Sequence, residues 1–419
     1  MTPRLASPAH AAMDQYAQRD GELVVGGLAL SELAARAGRT PFYAYDGDLM
    51  RARVTQLRTA LPSTIQIHYA MKANPLPAVV ALMAGLVDGI DVASAGELGV
   101  ALAAGARAQD ISFAGPGKRE AELQAAVAAG LLVNVESVRE LPLLAAAAQA
   151  QGLPARVAVR VNPNFELKGS GMKMGGGARP FGIDVEAVPA VLARIAQGAA
   201  DGLRFEGFHL YAGSQNLRAE AICQAQAQSF ELALRLAEQA PAPVRFLNLG
   251  GGFGIPYFPG EARLDLRPIA DGLHTLALRA QRLLPQAALV VELGRYLVGE
   301  AGVYVVRVID RKTSRGQVFL VVDGGLHHHL AASGNFGQVL RRNYPVAIGN
   351  RMHSAEREVA SVVGPLCTPL DLLADRMELA VAQEGDLVVV FQSGAYGASA
   401  SPQAFLGHPP CAELLVPAA

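Results

Sequence analysis

The sequence predicts an α/β fold: a closed (β/α)8 barrel followed by a C-terminal all-β domain. Two observations predict it. From about residue 65 to 292, short runs of β-forming residues alternate with longer Ala/Leu-rich segments of helical period, which is typical of βα units with parallel strands. After residue 296 the helical period fades, and β-rich runs separated by Gly and Pro take over.

The barrel is predicted from the number of its strands. The eight β-type runs are IQIHY at 65, GIDVA at 89, ISFAG at 111, LLVNV at 131, RVAVRV at 156, RFEGFHLY at 204, VRFLNL at 244 and ALVVEL at 288. Helical segments such as LPAVVALMAGL and AELQAAVAAG separate them. Eight such units over roughly 230 residues match the size of a (β/α)8 barrel, with an open doubly wound sheet as the alternative architecture.

The second domain is predicted from the later runs VYVVRVI, QVFLVVD, EVASVVG, DLVVVFQ and CAELLV. We therefore divide the chain into an N-terminal segment over 1–40, a barrel over 41–295 and a β-domain over 296–419. The run GELVVGGLAL near the N-terminus is expected to add a strand to the β-domain, so that the segment 1–40 joins it.

The composition favours a small-molecule partner. The 419 residues are 51% hydrophobic, and the formal net charge of −1 leaves no excess of positive charge for a nucleic acid or an anionic membrane. Neither a signal-peptide pattern nor an apolar run of the roughly 18 residues that a membrane helix needs is present, so we expect a soluble, cytoplasmic protein. Three separated cysteines without a C-x-x-C motif, Cys223, Cys367 and Cys411, indicate neither a disulfide framework nor a zinc site.

Chemically useful residues follow the predicted barrel strands. Lysine is rare, and Lys72 follows the first strand; the other lysines are Lys118, Lys168, Lys173 and Lys312. Polar residues end further strands: Asp91 with Ser94 and Glu97; Asn134 and Glu136; Arg160 and Asn162; His209, Tyr211 and Ser214; and Glu292 with Arg295. The active site of this fold lies at the C-terminal strand ends, so the joint pattern predicts a site around Lys72, although any one of these residues could be an ordinary polar loop residue.

A glycine run follows the seventh strand, at Gly250-Gly251-Gly252-Phe253-Gly254. This fold often binds a phosphate there, on backbone N–H groups that glycine lets approach closely. A tight βα turn would have the same sequence. A dinucleotide loop is disfavoured, because the spacing G-x-G-x-x-G would need a glycine where Ile255 stands.

The residues around Lys72 resemble a known family. Tyr69-Ala70-Met71-Lys72-Ala73-Asn74 is similar to the lysine motif of the fold-type III pyridoxal-phosphate-dependent decarboxylases, which include diaminopimelate and ornithine decarboxylases. Six further motifs recur in family order: those at 91–98, 207–215, 248–257, 292–295, 364–371 and 393–397. The resemblance implies an alanine-racemase-like barrel, a following β-domain, and active sites shared across a homodimer.

The resemblance also implies a role for each residue. Lys72 would hold pyridoxal 5'-phosphate as a Schiff base, and Glu292 would keep the pyridine nitrogen protonated. Cys367, donated by the partner subunit, would protonate Cα after carbon dioxide leaves. The phosphate donors would be Ser214, the amides of Gly250, Gly251 and Gly252, Arg295 and Tyr396, with Asp91, Glu97 and Arg160 as the surrounding polar shell.

The ring-stacking residue departs from the family pattern. An H-x-H-x-G-S motif usually supplies its second histidine, whereas this chain has His209-Leu-Tyr211-Ala-Gly213-Ser214. Tyr211 is therefore expected to stack on the cofactor ring, which an aromatic face can do. His209 is as compatible with a structural role as with a catalytic one.

Substrate recognition departs further. Diaminopimelate enzymes follow the cysteine with a glutamate that binds the distal amino group, and Thr368 stands there instead. An apparent insertion precedes Arg341-Arg342-Asn343-Tyr344, and the expected substrate contacts are Arg295, Tyr344, Thr368 and Tyr396. The run His327 to His329 could suggest a metal, but neighbouring residues of a strand face opposite sides, so we predict a structural or substrate-loop role and no metal.

The predicted reaction is the removal of the α-carboxylate from an amino acid or from an aminoacyl group on a carrier protein. The chain resembles divergent branches of the family, those associated with exosortase or exopolysaccharide gene clusters and those acting on carrier-bound aminoacyl groups. The alternatives are a diaminopimelate decarboxylase proper, a racemase of the same fold and a non-catalytic homologue that binds pyridoxal phosphate. Glu292 argues against the racemase, because racemases of this fold place an arginine against the pyridine nitrogen.

Overall fold

The computed structural model describes residues 9–166 and 172–416, which leaves Lys168 outside the described residues. The chain divides into two compact units. The barrel unit consists of Arg53–Gly254 and Leu264–Gly294. The β unit consists of the described residues up to Ala52, of Ile255–Arg263 and of the described residues from Arg295 onward.

Eight parallel strands close into a barrel, which confirms the predicted fold class. Their bounds are Ile65–Ala70, Gly89–Val92, Ile111–Phe113, Leu132–Val135, Ala155–Asn162, Leu203–Leu210, Phe246–Gly251 and Ala288–Leu293. Each strand pairs with the next along the chain, and the eighth pairs with the first, where Glu292 lies opposite His68. All eight predicted runs are therefore barrel strands.

Helices connect these strands and have ends that the local sequence explains. They are Pro77–Ala84, Ala95–Ala103, Glu120–Ala129, Glu140–Gln151, Val188–Gln197, Ala219–Ala237 and Arg267–Leu283. The Ser94 hydroxyl caps the second of them by accepting the N–H of Glu97 at 3.1 Å, and Gly130, at φ +75°, ends the third. Short strands add to the rim: Ile183–Asp184 pairs with the fifth barrel strand, and Gly213–Ser214 pairs with Met172–Lys173.

The β unit is built on a mixed sheet. Its strands are Phe42–Asp46, Gly302–Ser314, Gln317–Val322, Val346–Ile348, Arg357–Val363, Leu372–Ala380, Leu387–Val390 and Ala412–Val416. Gly302–Ser314 is the longest and pairs with three other strands. The helix Leu30–Ala37 lies in this unit, and the short helix Arg295–Val298 begins its C-terminal part.

The N-terminal residues differ from the prediction in two ways. The run GELVVGGLAL provides the strands Glu22–Val25 and Leu28–Ala29 of a small separate sheet, which Gln18–Arg19 completes, instead of adding a strand to the large one. The strand that does join is Phe42–Asp46, which pairs with Gly302–Ser314 and Ala412–Val416. All five residues of this strand are buried, as in a barrel strand. The predicted start of the barrel, at residue 41, therefore assigned this strand to the wrong unit.

An apolar cluster joins the N-terminal segment to the sheet of the β unit. Leu23 and Leu33 pack with Val303 and Val389, all of them buried. This burial explains why the described part of the segment 1–40 lies in the β unit. Within residues 9–166 and 172–416, no helix combines the length and the apolar character that crossing a bilayer requires.

Candidate active site

Lys72 lies at the rim of the barrel, in the single 3-10 turn Met71–Ala73 that follows the first strand. Its side chain is 46% exposed, and its Nζ lies 3.7 Å from Oε1 of Glu292. The same Nζ is 5.9 Å from the ring centroid of Tyr211. The structure therefore brings together three predicted side chains: the amine of Lys72 after the first strand, the ring of Tyr211 after the sixth and the carboxylate of Glu292 on the eighth.

Glu292 is a buried carboxylate with strong hydrogen-bond donors. Its Oε2 accepts from Nε2 of His209 at 3.0 Å and from Nδ2 of Asn248 at 3.4 Å. Burial alone would raise the pKa of Glu292, but the hydrogen bond from His209 and the charge of Lys72 outweigh burial and hold that pKa well below its ordinary value. Glu292 is therefore ionised at neutral pH and directs one oxygen towards Lys72.

His209, for which the sequence left a structural and a catalytic role open, contacts Glu292 directly. Its ring is buried, and its centroid lies 6.4 Å from that of Tyr211. Since Nε2 faces an ionised carboxylate, it carries the hydrogen, and Nδ1 has no hydrogen-bond partner among the described residues. His209 thus holds the orientation of Glu292.

Asp91 belongs to a hydrogen-bonded chain inside the barrel. Its Oδ1 lies 3.1 Å from Nδ1 of His68 and accepts the hydroxyl of Ser112 at 2.5 Å, and Ser112 in turn accepts from Nδ2 of Asn134 at 3.1 Å. Burial lowers the pKa of His68, but the charge of Asp91 outweighs it, so the pKa of His68 is raised overall. The Asp91 carboxylate is thus held by the neighbouring strands.

Glu97 and Arg160 were predicted to form a polar shell. Glu97 accepts the N–H of Ala93 at 2.6 Å, and burial raises its pKa against the opposing effects of this bond and of the Lys72 charge. Arg160 donates to Oε1 of Glu136 at 2.7 Å. The cofactor shell of Glu97 and Arg160 stays a prediction.

The glycine run forms a tight loop next to the strand of Glu292. Gly250 and Gly252 have φ of +71° and +73°, and a Cβ on Gly251 would lie 2.0 Å from the carbonyl oxygen of Glu292. A side chain at these positions would therefore clash or strain the backbone. The N–H of Gly250, predicted as a phosphate donor, instead donates to Oδ1 of Asn248 at 2.8 Å, where the register with the next strand shifts between Asn248 and Gly251.

Ser214, the other predicted phosphate ligand of the barrel unit, is buried in the short strand Gly213–Ser214. The Ser214 hydroxyl and the amides of Gly251 and Gly252 stay predictions as phosphate donors of this unit.

In the β unit, the predicted residues Arg295, Tyr344 and Tyr396 gather around Tyr257. The guanidinium carbon of Arg295 lies 4.8 Å from the ring centroid of Tyr396 and 5.7 Å from that of Tyr257. The rings of Tyr257 and Tyr344 are 4.8 Å apart. Arginine over aromatic faces is a favourable cation–π arrangement. Tyr257 ends the glycine motif in the sequence, but its central place in this cluster was not predicted.

Cys367 and Thr368 lie on a turn of the β unit that Asp371 holds. Asp371 accepts the N–H of Leu326 at 2.6 Å and that of Leu366 at 2.9 Å. Cys367 is exposed, and the Thr368 hydroxyl accepts the N–H of Leu370 at 3.3 Å. The turn therefore presents the thiol at the surface of this single chain.

The three consecutive histidines have different surroundings within the β unit. The Nδ1 of His329 accepts the N–H of Ala332 at 3.3 Å, so its Nε2 carries the hydrogen and donates to Oγ of Ser393 at 2.9 Å. His328 bonds the carbonyl of Pro409 at 2.9 Å, and His327 packs its ring against His328. No group of three or more His, Cys, Asp or Glu side chains within the described residues could hold a metal ion.

Sequence reasoning missed two partners of the predicted carboxylates. His68 supports Asp91, and Asn248 supports Glu292. Both stand within otherwise apolar strands, where a polar side chain is costly to bury unless it is hydrogen-bonded. A polar residue in such a strand therefore indicates a hydrogen-bonded partner, and this was the signal in the sequence.

Known proteins resemble this chain over almost its whole length. Residues 48–299 match the family model of the pyridoxal-dependent decarboxylases, pyridoxal binding domain. The L-glutamyl-(BtrI acyl-carrier protein) decarboxylase of Niallia circulans is 41% identical over 381 residues, 90% of this chain and 88% of that protein. The diaminopimelate decarboxylase of Aquifex aeolicus (strain VF5) is 33% identical over 95% of this chain and 91% of that protein.

Solved structures resemble the chain as well. The diaminopimelate decarboxylase of M. jannaschii in co-complex with L-lysine has a TM-score of 0.84 and 27% sequence identity, over 94% of this chain and 91% of that one.

Proposed function

The chain belongs to the pyridoxal-dependent decarboxylases, and from that membership we propose that it decarboxylates an aminoacyl group, a glutamyl group first of all, attached to an acyl carrier protein. It is a carboxy-lyase that uses pyridoxal phosphate. The observation that supports the reaction is the buried, ionised Glu292, one oxygen of which lies 3.7 Å from the amine of Lys72. The substrate class rests on the relative that is 41% identical.

The chemistry of the reaction restricts how the substrate is attached. Removal of the α-carboxylate requires that both the α-amino group and the α-carboxylate be free. A glutamyl group on a carrier protein must therefore be joined through its side-chain carboxyl. Such a substrate has no distal ammonium, which agrees with Thr368 standing where diaminopimelate enzymes have a glutamate.

The residues of the barrel unit fit pyridoxal phosphate. When bound, this cofactor supplies an electron-withdrawing pyridine ring. Lys72 provides the amine that would hold it, the ionised Glu292 would keep a proton on the ring nitrogen, and Tyr211 offers an aromatic face 5.9 Å from the lysine Nζ. Ser214, Gly251 and Gly252, with Arg295 and Tyr396 as the family resemblance implies, would hold the phosphate.

We extend the proposal to a homodimer in which Cys367 of one subunit serves the site of the other. Its thiol would hold the proton that is delivered to the substrate Cα. Exposure of Cys367 on a turn braced by Asp371 supports this role, because a second copy of the chain can reach the thiol there.

The substrate proposal is tested by carbon dioxide release from three substrates: a glutamyl thioester of a carrier protein, free L-glutamate and meso-diaminopimelate. We expect release from the thioester to be the fastest by far, with Lys72→Ala inactive on all three. Thr368→Glu is the matched variant, because it restores a carboxylate that can bind a distal ammonium, and it should raise the relative rate on diaminopimelate. A parent enzyme that prefers free diaminopimelate would refute the carrier-bound substrate.

The shared site is tested by coexpressing the Lys72→Ala and Cys367→Ala chains. Each homodimer lacks one essential group in both of its sites, whereas a mixed dimer has one complete site of two. Random pairing should then restore about a quarter of the parental activity. Two inactive variants that stay inactive together would contradict donation of the thiol by a partner.

A further inference from the structure

One side chain bonds both the Glu292 carboxylate and the glycine loop. Asn248 lies on the seventh barrel strand and is fully buried. Its Nδ2 donates to Oε2 of Glu292 at 3.4 Å, and its Oδ1 accepts the N–H of Gly250 at 2.8 Å. A single amide therefore connects the two groups that the proposed function assigns to opposite ends of the cofactor.

The direction in which the amide points follows from its partners. The N–H of Gly250 can only donate, so the atom 2.8 Å away must be the carbonyl oxygen of the side chain. The NH2 group is then left to face Glu292, which as an ionised carboxylate can only accept. Both bonds agree with one orientation, and the flipped amide would satisfy neither.

The two oxygens of Glu292 have separate functions in this arrangement. Oε2 receives His209 and Asn248, while Oε1 lies towards Lys72 at 3.7 Å. A buried ionised carboxylate is stable only when donors compensate for its lost hydration. Two donors on one oxygen also restrain rotation of the carboxylate and keep the other oxygen directed at the site.

We propose that Asn248 is a positioning residue that sets the carboxylate of Glu292 and the Gly250 loop in a constant relation to each other. This inference rests on the proposed function, which places Glu292 against the ring nitrogen and the glycine loop beside the phosphate. Asn248 itself does not touch the reacting atoms. Through one bond to each, it holds the carboxylate and the loop at a constant separation.

Asn248→Asp separates the two bonds, because it keeps the acceptor for Gly250 and replaces the permanent N–H donor to Glu292 by a carboxyl that donates only while it is protonated. Two adjacent carboxylates then share a proton, and its loss adds a step to the pH titration of the bound cofactor. In the holoenzyme we expect an absorbance titration with one transition more than in the parent. The phosphorus-31 resonance of the bound phosphate should stay where it is in the parent.

Asn248→Ala removes both bonds. We expect the dissociation constant for pyridoxal phosphate to rise about 10-fold, as the loss of buried hydrogen bonds to a charged group implies. The phosphorus-31 resonance should also move, because the Gly250 loop is released. The two variants together assign one signal to each end of the amide.

Asn350 provides a matched control in the β unit. Its Nδ2 donates to Oδ1 of Asp386 at 2.8 Å, and its Oδ1 accepts the N–H of Leu387 at 2.9 Å, so it bridges a carboxylate and a backbone amide in the same way. Asn350→Ala and Asn350→Asp should lower the melting temperature without moving the absorbance titration, the cofactor affinity or the phosphorus resonance.

Unchanged affinity and an unmoved phosphorus resonance in Asn248→Ala would overturn the inference, as would an Asn248→Asp titration identical to that of the parent. Glu292→Gln distinguishes this failure from failure of the proposed function. If Glu292→Gln alters the absorbance titration while the Asn248 variants do not, only the positioning role is wrong. If the parent binds no cofactor at Lys72, or Glu292→Gln has no effect, the site assignment and the inference are both overturned.

Discussion

Lys72 and Lys118 both follow strands of the same barrel, yet the fold uses them differently. The Lys72 side chain is 46% exposed, and its Nζ lies 3.7 Å from one oxygen of Glu292. The Lys118 side chain is 1% exposed, lies 3.1 Å from Glu140 and donates to two backbone carbonyls at 2.7 and 2.9 Å. The fold thus buries Lys118 among fixed partners and leaves the side chain of Lys72 about half exposed beside Glu292.

The partners of the two lysines reinforce this difference. Burial lowers the pKa of Lys118 and raises that of Glu140, so each of the two charges depends on the other. The pKa of Glu292 is instead held low, first by the hydrogen bond from His209 and then by the charge of Lys72, so Glu292 is ionised. The Lys118–Glu140 pair is therefore a closed, buried pair, whereas the Lys72–Glu292 pair has a half-exposed lysine.

The largest effect is expected from Lys72→Ala. Removing the amine that holds the cofactor should lower decarboxylation by about 10³-fold or more. Borohydride reduction of the parent holoenzyme should fix pyridoxal phosphate to the peptide that contains Lys72. Lys312→Ala, which changes an exposed lysine of the β unit, is the control and should retain both label and activity. A label on the Lys118 peptide would reverse the comparison.

Lys118→Met should affect stability instead of chemistry. It leaves Glu140 buried without its cation, which costs about 3–5 kcal/mol in the free energy of unfolding. The double variant Lys118→Met with Glu140→Leu should recover most of this loss, because no charge is then left unpaired. Urea unfolding of both variants measures it. A single variant as stable as the parent would show that Lys118 is dispensable to the fold.

A buried histidine without a carboxylate should destabilise the protein in acid. Burial lowers the pKa of His329 to about 3 from an ordinary value of 6.5, so below pH 6.5 the unfolded chain binds a proton that the folded chain does not. The free energy of unfolding should therefore decrease as the pH falls below 6.5, by about 1.4 kcal/mol per pH unit. His327, with a pKa lowered to about 4, adds to the same slope, so His329→Gln should reduce the slope below pH 6.5 without abolishing it. An unchanged slope would contradict the shift.

His68, which has a carboxylate partner, should show the opposite and smaller effect. Its pKa is raised against burial by Asp91, so its contribution to stability is complete below pH 6.5 and is lost as the pH rises through the folded pKa. As the pH rises above 6.5, the melting temperature of the parent should decline more steeply than that of His68→Gln. Equal slopes would show that Asp91 does not stabilise the charged imidazole.

Particular residues show how far the sequence could be read. The eight barrel strands followed from alternating local patterns, which need no long-range information. Lys72 and Glu292 followed from their places at strand ends, together with the motifs around them. Phe42–Asp46 could not be assigned, because a strand with every residue buried looks the same in a barrel as in a β-domain sheet. The strand Leu372–Ala380 was missed because Asp375 and Arg376 interrupt its apolar pattern.

The sequence by itself determined the fold class, which follows from local patterns, and its motifs carried the family resemblance that implies the cofactor and predicts Lys72 as the lysine that would hold it. Only the tertiary structure decided that Lys118 pairs with Glu140 and that His209 and Asn248 donate hydrogen bonds to Glu292. It also decided that the Gly250 N–H donates to Asn248. The physical reason is that the availability of a polar group depends on its partners. Glu140 begins a helix, and His209 and Asn248 lie on other strands than Glu292, so these partners meet only when the chain folds.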